Sequence, residues 1–266
     1  MASSALRTPE CEWLFEKLAR AAKRALLVEY DGILAPFRAE RDQALPFSQI
    51  PELLSEIVRT GTRVVVISGR SLSDLVPLLQ LSPSPEIWGC YGWERLGRDG
   101  KCESNPVSNG ASKALEAVNA ALSSCGLGEM LELKGGATAV HWRGVPKSRV
   151  QEVRTLVLRV WWRLEVSRWL ALTDFDGGIE FRSRSMNKAR AIGELLDEIS
   201  PDTSVAYLGG STTRSDDAFL LLKGRGLGVL VREEFRSTAA HLWLQPPEGV
   251  VDFLSNWRDS WERPAE

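Results

Sequence analysis

Short apolar runs and amphipathic stretches alternate along the first hundred residues. Ala25–Glu29 (A-L-L-V-E) and Arg63–Ile67 (R-V-V-V-I) are nearly continuous apolar runs. Such runs fit strands buried on both faces, as in a parallel sheet. Between them, Pro51–Arg59 sets Leu53, Leu54, Ile57 and Val58 on one stripe, with proline in the first turn and Gly61 as a stop signal. That pattern predicts a helix. Ser71–Leu79 reads as a second helix and Glu86–Tyr91 as a third strand. Strand, helix and strand in this order imply right-handed crossovers and a doubly wound sheet.

The pattern changes near Asn105. Ala111–Leu122 reads as a helix, and Glu129–Lys134 and Ala137–Arg143 alternate polar and apolar around Gly135-Gly136. This is the signature of an antiparallel hairpin with a two-residue turn. Val150–Arg163 is a second helix, followed by Val166–Thr173 and Gly178–Arg182 as a second hairpin around Asp176-Gly177. The strand–helix pattern then resumes with a helix at Asn187–Ile199, a strand at Val205–Leu208, a helix at Asp217–Lys223 and a strand at Leu227–Val231. A helix at Val250–Trp257 closes the chain. The expected fold is α/β: a Rossmann-like parallel-sheet core of residues 1–107 and 185–266, with an inserted αββαββ cap domain at 108–184.

Composition narrows the function classes. Among 266 residues, 33 Lys and Arg balance 35 Asp and Glu, a net charge of −2. The basic excess of a duplex-binding protein is missing, so no nucleic-acid partner is expected. Hydrophobic residues make up 44% of the chain, too many for an acidic disordered protein. No apolar run approaches the roughly 20 residues that span a bilayer, and Met1–Phe15 lacks the pattern of a secretory signal. Cys11, Cys90, Cys102 and Cys125 show no C-x-x-C spacing, and the two histidines lie far from them in sequence. Neither a zinc site nor a disulfide framework is expected, and a cytoplasmic location is.

In open α/β sheets, ligands bind outside the carboxyl ends of the strands, so the loops there carry the candidate chemistry. Glu29 and Asp31 leave the first strand two residues apart. They can share a metal or divide nucleophile and acid roles, or Asp31-Gly32 can simply build a turn. Ser68-Gly69-Arg70 offers a hydroxyl and backbone N–H groups to a phosphate, or Ser68 caps a helix. Lys188 opens a later helix, as a ligand-facing or a solvated charge. The segment from Gly209 to Asp217 is glycine-rich and polar, and serves a ligand or merely links strand to helix.

In the first hairpin, the turn sets 134 opposite 137, 132 opposite 139 and 130 opposite 141. Side chains alternate with period two, so Glu132, Lys134, His141 and Arg143 share one face, while Leu131, Leu133, Val140 and Trp142 share the other. The polar face is either a binding platform or a solvated surface.

Taken in order, Tyr30-Asp31-Gly32-x-Leu34-Ala35-Pro36, Val66-Ile67-Ser68-Gly69-Arg70, Asn187-Lys188, and Tyr207-Leu208-Gly209 with Asp217-Ala218-Phe219 resemble the haloacid dehalogenase superfamily. More closely, the chain resembles the trehalose-6-phosphate phosphatases, from about Leu14 to Trp257, with Thr238-Ala239-Ala240 and Val251-Asp252-Phe253-Leu254 matching that family's closing segment. Glu132-x-Lys134 and His141-x-Arg143 resemble the family's cap signature, which grips sugar hydroxyls and phosphate, and Glu180 matches a further cap carboxylate. The resemblance implies hydrolysis of trehalose 6-phosphate to trehalose and phosphate. The carboxylate at position 29 would be the nucleophile and Asp31 the acid and base. Ser68 would bind a phosphoryl oxygen alongside Gly69 and Arg70, and Lys188 would balance charge. It further implies Mg2+ held through Glu29 and Asp31, and a trehalose-phosphate synthase as a candidate partner.

The chain departs from the family pattern where the chemistry sits. Glu29 stands where the family has the nucleophilic aspartate, a longer arm by one methylene, roughly 1.5 Å. A misplacement near 1 Å can cost about 100-fold in an in-line attack. Ile33 replaces a threonine, and Tyr91 stands where the H-G-x-E motif has histidine, with Gly92 and Glu94 retained. Gly210 and Ser211 fall where two metal-associated aspartates belong, in a loop one residue longer than the family's, and Arg214 adds a positive charge to it. These changes imply weak metal binding and severely impaired turnover, or a pseudophosphatase that still binds a sugar phosphate or regulates a partner.

Overall fold

A computed structural model describes residues 9–38, 40–175, 177–210 and 215–260. Asp176, Ser211 and Arg214 therefore lie outside the described residues. The chain divides into two compact units, residues 1–103 with 188–266, and residues 104–187.

The first unit is built on strands β1 (Arg24–Glu29), β2 (Arg63–Ile67), β3 (Glu86–Gly89), β4 (Glu94–Leu96), β5 (Cys102–Ser104), β10 (Ser204–Gly209), β11 (Gly226–Val231) and β12 (Leu242–Leu244). Their order is β12-β11-β10-β1-β2-β3-β4-β5. The strands from β12 to β3 are parallel, and β4 turns back antiparallel on β3. β1 is central, and every one of its residues is buried. Period-two alternation splits its side chains between two cores. Leu26 and Val28 join a cluster with Leu53, Leu54, Ile57, Phe253 and Trp257. Ala25 and Leu27 join another with Ile192, Leu195, Phe219 and Leu222. The apolar stripes that cover these faces come from helices α1 (Pro9–Arg20), α2 (Ile50–Arg59), α3 (Leu72–Leu79), α6 (Lys188–Glu198), α7 (Ser215–Leu221) and α8 (Glu248–Asp259).

The second unit holds α4 (Asn109–Ser124), β6 (Leu131–Lys134), β7 (Ala137–His141), α5 (Lys147–Arg163), β8 (Leu170–Phe175) and β9 (Gly178–Ser183). Its sheet is antiparallel, in the order β6-β7-β9-β8. Glu132 faces Ala139 and Lys134 faces Ala137, the register that the Gly135-Gly136 turn dictates. The apolar side packs Val140, Ile179, Phe181 and Leu170 against Val118, Leu122, Val153 and Val157 of the two helices. The α/β fold with a parallel-sheet core and an inserted αββαββ unit is therefore present.

Several local expectations need correction. The third strand stops at Gly89, because Cys90 and Tyr91 take left-handed conformations at φ 47° and 58°. β7 ends at His141, and Arg143 follows in a turn. Val166–Arg168 is a short 3-10 turn, so β8 starts only at Leu170 and runs to Phe175. Helix α1 and the three-residue strands β4, β5 and β12 had no counterpart in the sequence reading. No helix among the described residues is long and apolar enough to cross a membrane.

Phe253 on α8 is fully buried, with its ring 5.6 Å from Phe15 of α1 and 6.1 Å from Trp257. Phe253→Ala is expected to cost about 3–5 kcal/mol, read as a lower midpoint in urea denaturation with the m-value unchanged.

Candidate active site

The carboxyl ends of β1, β2 and β10 bring one set of candidates together. Glu29, the last residue of β1, is 1% exposed. An ionised carboxylate cannot be buried alone, and two groups answer it. The Lys188 ammonium, at the first position of α6, lies 2.8 Å from Glu29 Oε1. The Tyr207 hydroxyl on neighbouring β10 donates to the same oxygen. Tyr207 was not among the expected site residues. A buried aromatic in a strand reads as core, and only its polar tip distinguishes it.

Two residues on, Asp31 is held by Arg70. The guanidinium donates from Nε to both carboxylate oxygens at 3.0 Å and from Nη2 to Oδ1 at 2.7 Å. Its Nη1 donates to the Arg41 carbonyl at 2.6 Å, and its carbon lies 5.6 Å from the Tyr30 ring centre. Burial is the largest single influence and works against the charge of Arg70, but the hydrogen bonds to Asp31 together with the negative charge of Asp31 and its neighbours hold the guanidinium pKa above its ordinary value. Burial likewise pushes the Tyr30 phenol well above its usual range, and its hydroxyl donates to the Ala44 carbonyl at 2.6 Å.

The Ser68-Gly69-Arg70 turn is tied to the β3 loop. Cys90 N–H donates to the Arg70 carbonyl at 2.7 Å, and Tyr91 N–H to the Ser68 carbonyl at 2.8 Å. The Ser68 hydroxyl accepts from Arg70 N–H at 3.1 Å, whereas α3 is capped by Ser71, which accepts from Asp74 N–H. Ser68 is therefore not the helix cap. A Cβ at Gly69 would lie 2.7 Å from the Tyr91 ring, so a larger residue there would have to displace that ring. The same ring has Lys188 Nζ 5.9 Å from its centre. Glu29, Ser68, Gly69, Tyr91 and Lys188 thus form one cluster, with the Asp31–Arg70 pair beside it.

Gly210, directly after β10, leaves no room for a side chain. Gly210 has φ 148°, and a Cβ there would lie 2.7 Å from the Val231 carbonyl oxygen and 3.1 Å from Val231 N. Asp216 and Asp217 fall in the first turn of α7. Asp216 is occupied elsewhere. Burial alone would raise its pKa, but Thr238, Ala239 N–H and Arg236 donate to it and lower it below the ordinary value. Among the described residues no group of three or more His, Cys, Asp or Glu is placed to hold a metal ion. Magnesium takes near-octahedral oxygens at about 2.0–2.1 Å. The described residues do not fit it: Gly210 supplies no oxygen-bearing side chain, and both carboxylates of the β1 loop are engaged by cations of the chain itself.

In the inserted sheet, Lys134 Nζ lies 2.9 Å from Glu180 Oε1 and 3.6 Å from Glu132 Oε2. His141 Nε2 bonds Glu132 Oε2 at 2.6 Å. These four expected residues stand together on the face opposite the helices. Arg143 lies beyond the strand, with its side chain against Gly177. Thr173 is a further polar residue of this face, directly opposite Glu180 in the β8–β9 register. The period-two argument applied to the second hairpin would have found it.

The Glu29–Lys188 pair gives a direct test. Lys188→Met leaves a buried carboxylate without its ammonium, and about 3–5 kcal/mol of stability should be lost. Adding Glu29→Gln should restore much of that loss in chemical denaturation. Single and double variants of equal stability would show that the pair is not a buried ion pair in solution.

The trehalose-phosphatase family profile matches residues 27–241. A trehalose-phosphate phosphatase of Mycobacterium marinum is 29% identical over 245 residues, which is 86% of this chain and 60% of that protein. The chain thus spans about three fifths of that relative's length. Among solved structures, the C-terminal domain of the Candida albicans trehalose-6-phosphate phosphatase superposes with a TM-score of 0.78 at 17% identity, covering 93% of this chain and 96% of that one. The C-terminal domain of the Candida albicans trehalose synthase regulatory protein gives 0.68 at 14% identity, covering 90% and 96%. At such identities the structures speak for the fold. The profile match, reaching from the strand that ends in Glu29 to His241, speaks for descent, and the chain belongs to the trehalose-phosphatase family.

Proposed function

We propose that this chain is a trehalose-6-phosphate phosphatase-like protein that retains affinity for trehalose 6-phosphate but turns it over severely slowly. The observation that carries this reading is Gly210: the backbone where the family places metal-associated aspartates leaves no room for a Cβ. Without that ligand, Mg2+ binding is weakened, and with it the share of charge stabilisation on the transferring phosphoryl group that a metal supplies.

The carboxylates support the same reading. Glu29 Oε1 is engaged by Lys188 and Tyr207, which stabilises the anion in its resting position and lowers its nucleophilicity. Its arm is also one methylene too long for the aspartate geometry. Both oxygens of Asp31 accept from Arg70, so proton transfer through Asp31 requires that bidentate pair to open. Affinity is supported by the groups that need no metal. Ser68, Gly69, Arg70 and Lys188 suit a phosphoryl group. Glu132, Lys134, His141, Arg143 and Glu180 suit the hydroxyls and phosphate of a sugar. The second reading is a pseudophosphatase that regulates a trehalose-phosphate synthase partner. The fold shared with the Candida albicans regulatory protein is the observation behind it.

Phosphate release from trehalose 6-phosphate with magnesium is expected below about 0.01 s⁻¹, some 100-fold under the low end of ordinary enzymes. Turnover near 1 s⁻¹ would overturn the impairment. Calorimetry is expected to show the sugar phosphate binding with or without magnesium, and no heat under either condition would overturn the retained affinity.

Gly210→Asp tests the steric argument. A side chain at this φ costs about 1–3 kcal/mol in backbone strain, and overpacking against Val231 adds about 1–3 kcal/mol. The expected result is a lower melting temperature that magnesium does not restore. A variant that melts as the wild type does and gains magnesium-dependent turnover would sink the account of this loop.

A further inference from the structure

Among the buried polar atoms of the inserted sheet that have no hydrogen-bond partner within the described residues, two belong to residues directly opposite each other. Glu180 is 1% exposed. Its Oε1 takes Lys134, while its Oε2 has no hydrogen-bond partner. Directly opposite on β8, the hydroxyl of Thr173 is also shielded from water and also without a partner. Opposed residues of an antiparallel pair point to the same face. Both atoms therefore stand on the face of Glu132, Lys134 and His141, away from the core formed with α4 and α5.

Stability does not account for them. A buried hydroxyl or carboxylate oxygen left unpaired is destabilising, and valine would fill the place of Thr173 with a similar shape and good strand preference. The two atoms do not bond each other. Oε2 of an ionised carboxylate only accepts, whereas a threonine hydroxyl can donate. A group that donates to the carboxylate and accepts from the hydroxyl complements both. A sugar hydroxyl does both. A phosphate oxygen could accept from Thr173 but would be repelled by the carboxylate.

We infer that Thr173 and Glu180 together take one hydroxyl of a carbohydrate ligand, which donates to Glu180 Oε2 and accepts from Thr173 Oγ1. Thr173 is then a specificity-determining residue for the sugar part of the ligand, and this rests on the sugar-phosphate reading above.

The test is calorimetry on wild type, Thr173→Val and Thr173→Ser with three probes: trehalose 6-phosphate, trehalose and inorganic phosphate. Thr173→Val should weaken both sugars about 3- to 10-fold, the worth of one hydrogen bond, and leave phosphate unchanged, while Thr173→Ser stays within about twofold of wild type. The melting temperature of unliganded Thr173→Val should be unchanged or raised, because an unsatisfied hydroxyl is removed. If wild type binds both sugars and Thr173→Val matches it, the two atoms hold a buried water and the inference falls alone. If Thr173→Val weakens phosphate as much as the sugars, a general distortion explains the loss and the inference falls. If wild type binds phosphate and neither sugar, the sugar-phosphate reading falls and takes this inference with it.

Discussion

A carboxylate at the end of a strand buried on both faces has to be neutralised where it stands. Removing such a charge from water costs several kcal/mol. An opposite charge at about 4 Å returns roughly 4 kcal/mol at the effective dielectric of a protein. The balance holds only while the partner is in place. Around Glu29 this requirement fixes the start of α6, which delivers Lys188, and the tip of Tyr207 on the neighbouring strand. The Asp31–Arg70 pair repeats the logic one loop further out and binds the β2 loop to the β1 loop. Glu29 and Asp31 thus each have a cation from the chain itself.

The inserted sheet applies the same rule to a different surface. Its alternation sends aliphatic and aromatic side chains to one side, where two helices cover them. The other side is a row of charges in which Lys134 stands between Glu132 and Glu180. Small residues between them, Ala137 and Ala139 on β7, leave the long side chains room to reach across the strands. Polar clustering of this kind is what a polyhydroxylated ligand requires, and it asks nothing of a metal.

The sequence made the frame legible because period two and period 3.6 differ so plainly. The central strand, the register of the first hairpin and the order of units all follow from that contrast. The short strands β4, β5 and β12 did not, since three residues carry no period. The left-handed pair Cys90-Tyr91 was hidden because neither residue is a glycine. The lack of a side chain at Gly210 is plain in the sequence. That the backbone has also closed over the position depends on Val231, some twenty residues away, and only the fold reveals it. Tyr207 and Thr173 were passed over for one reason: residues that look like ordinary strand formers show their chemistry only through the neighbour across the sheet.

The position of β1 has a kinetic side. It pairs with β2, which follows it closely in the chain, and with β10, which follows only after the whole inserted unit. Half of the central sheet can assemble while the chain is still short, whereas the other half waits on a long closure. The insertion lengthens that loop by less than a doubling, so its entropic cost is below about 0.6 kcal/mol. Because the inserted unit has its own core and its own locally paired hairpins, it can collapse early and shorten the distance the ends must search. A domain that interrupts the sheet in sequence thus adds little to the difficulty of completing it.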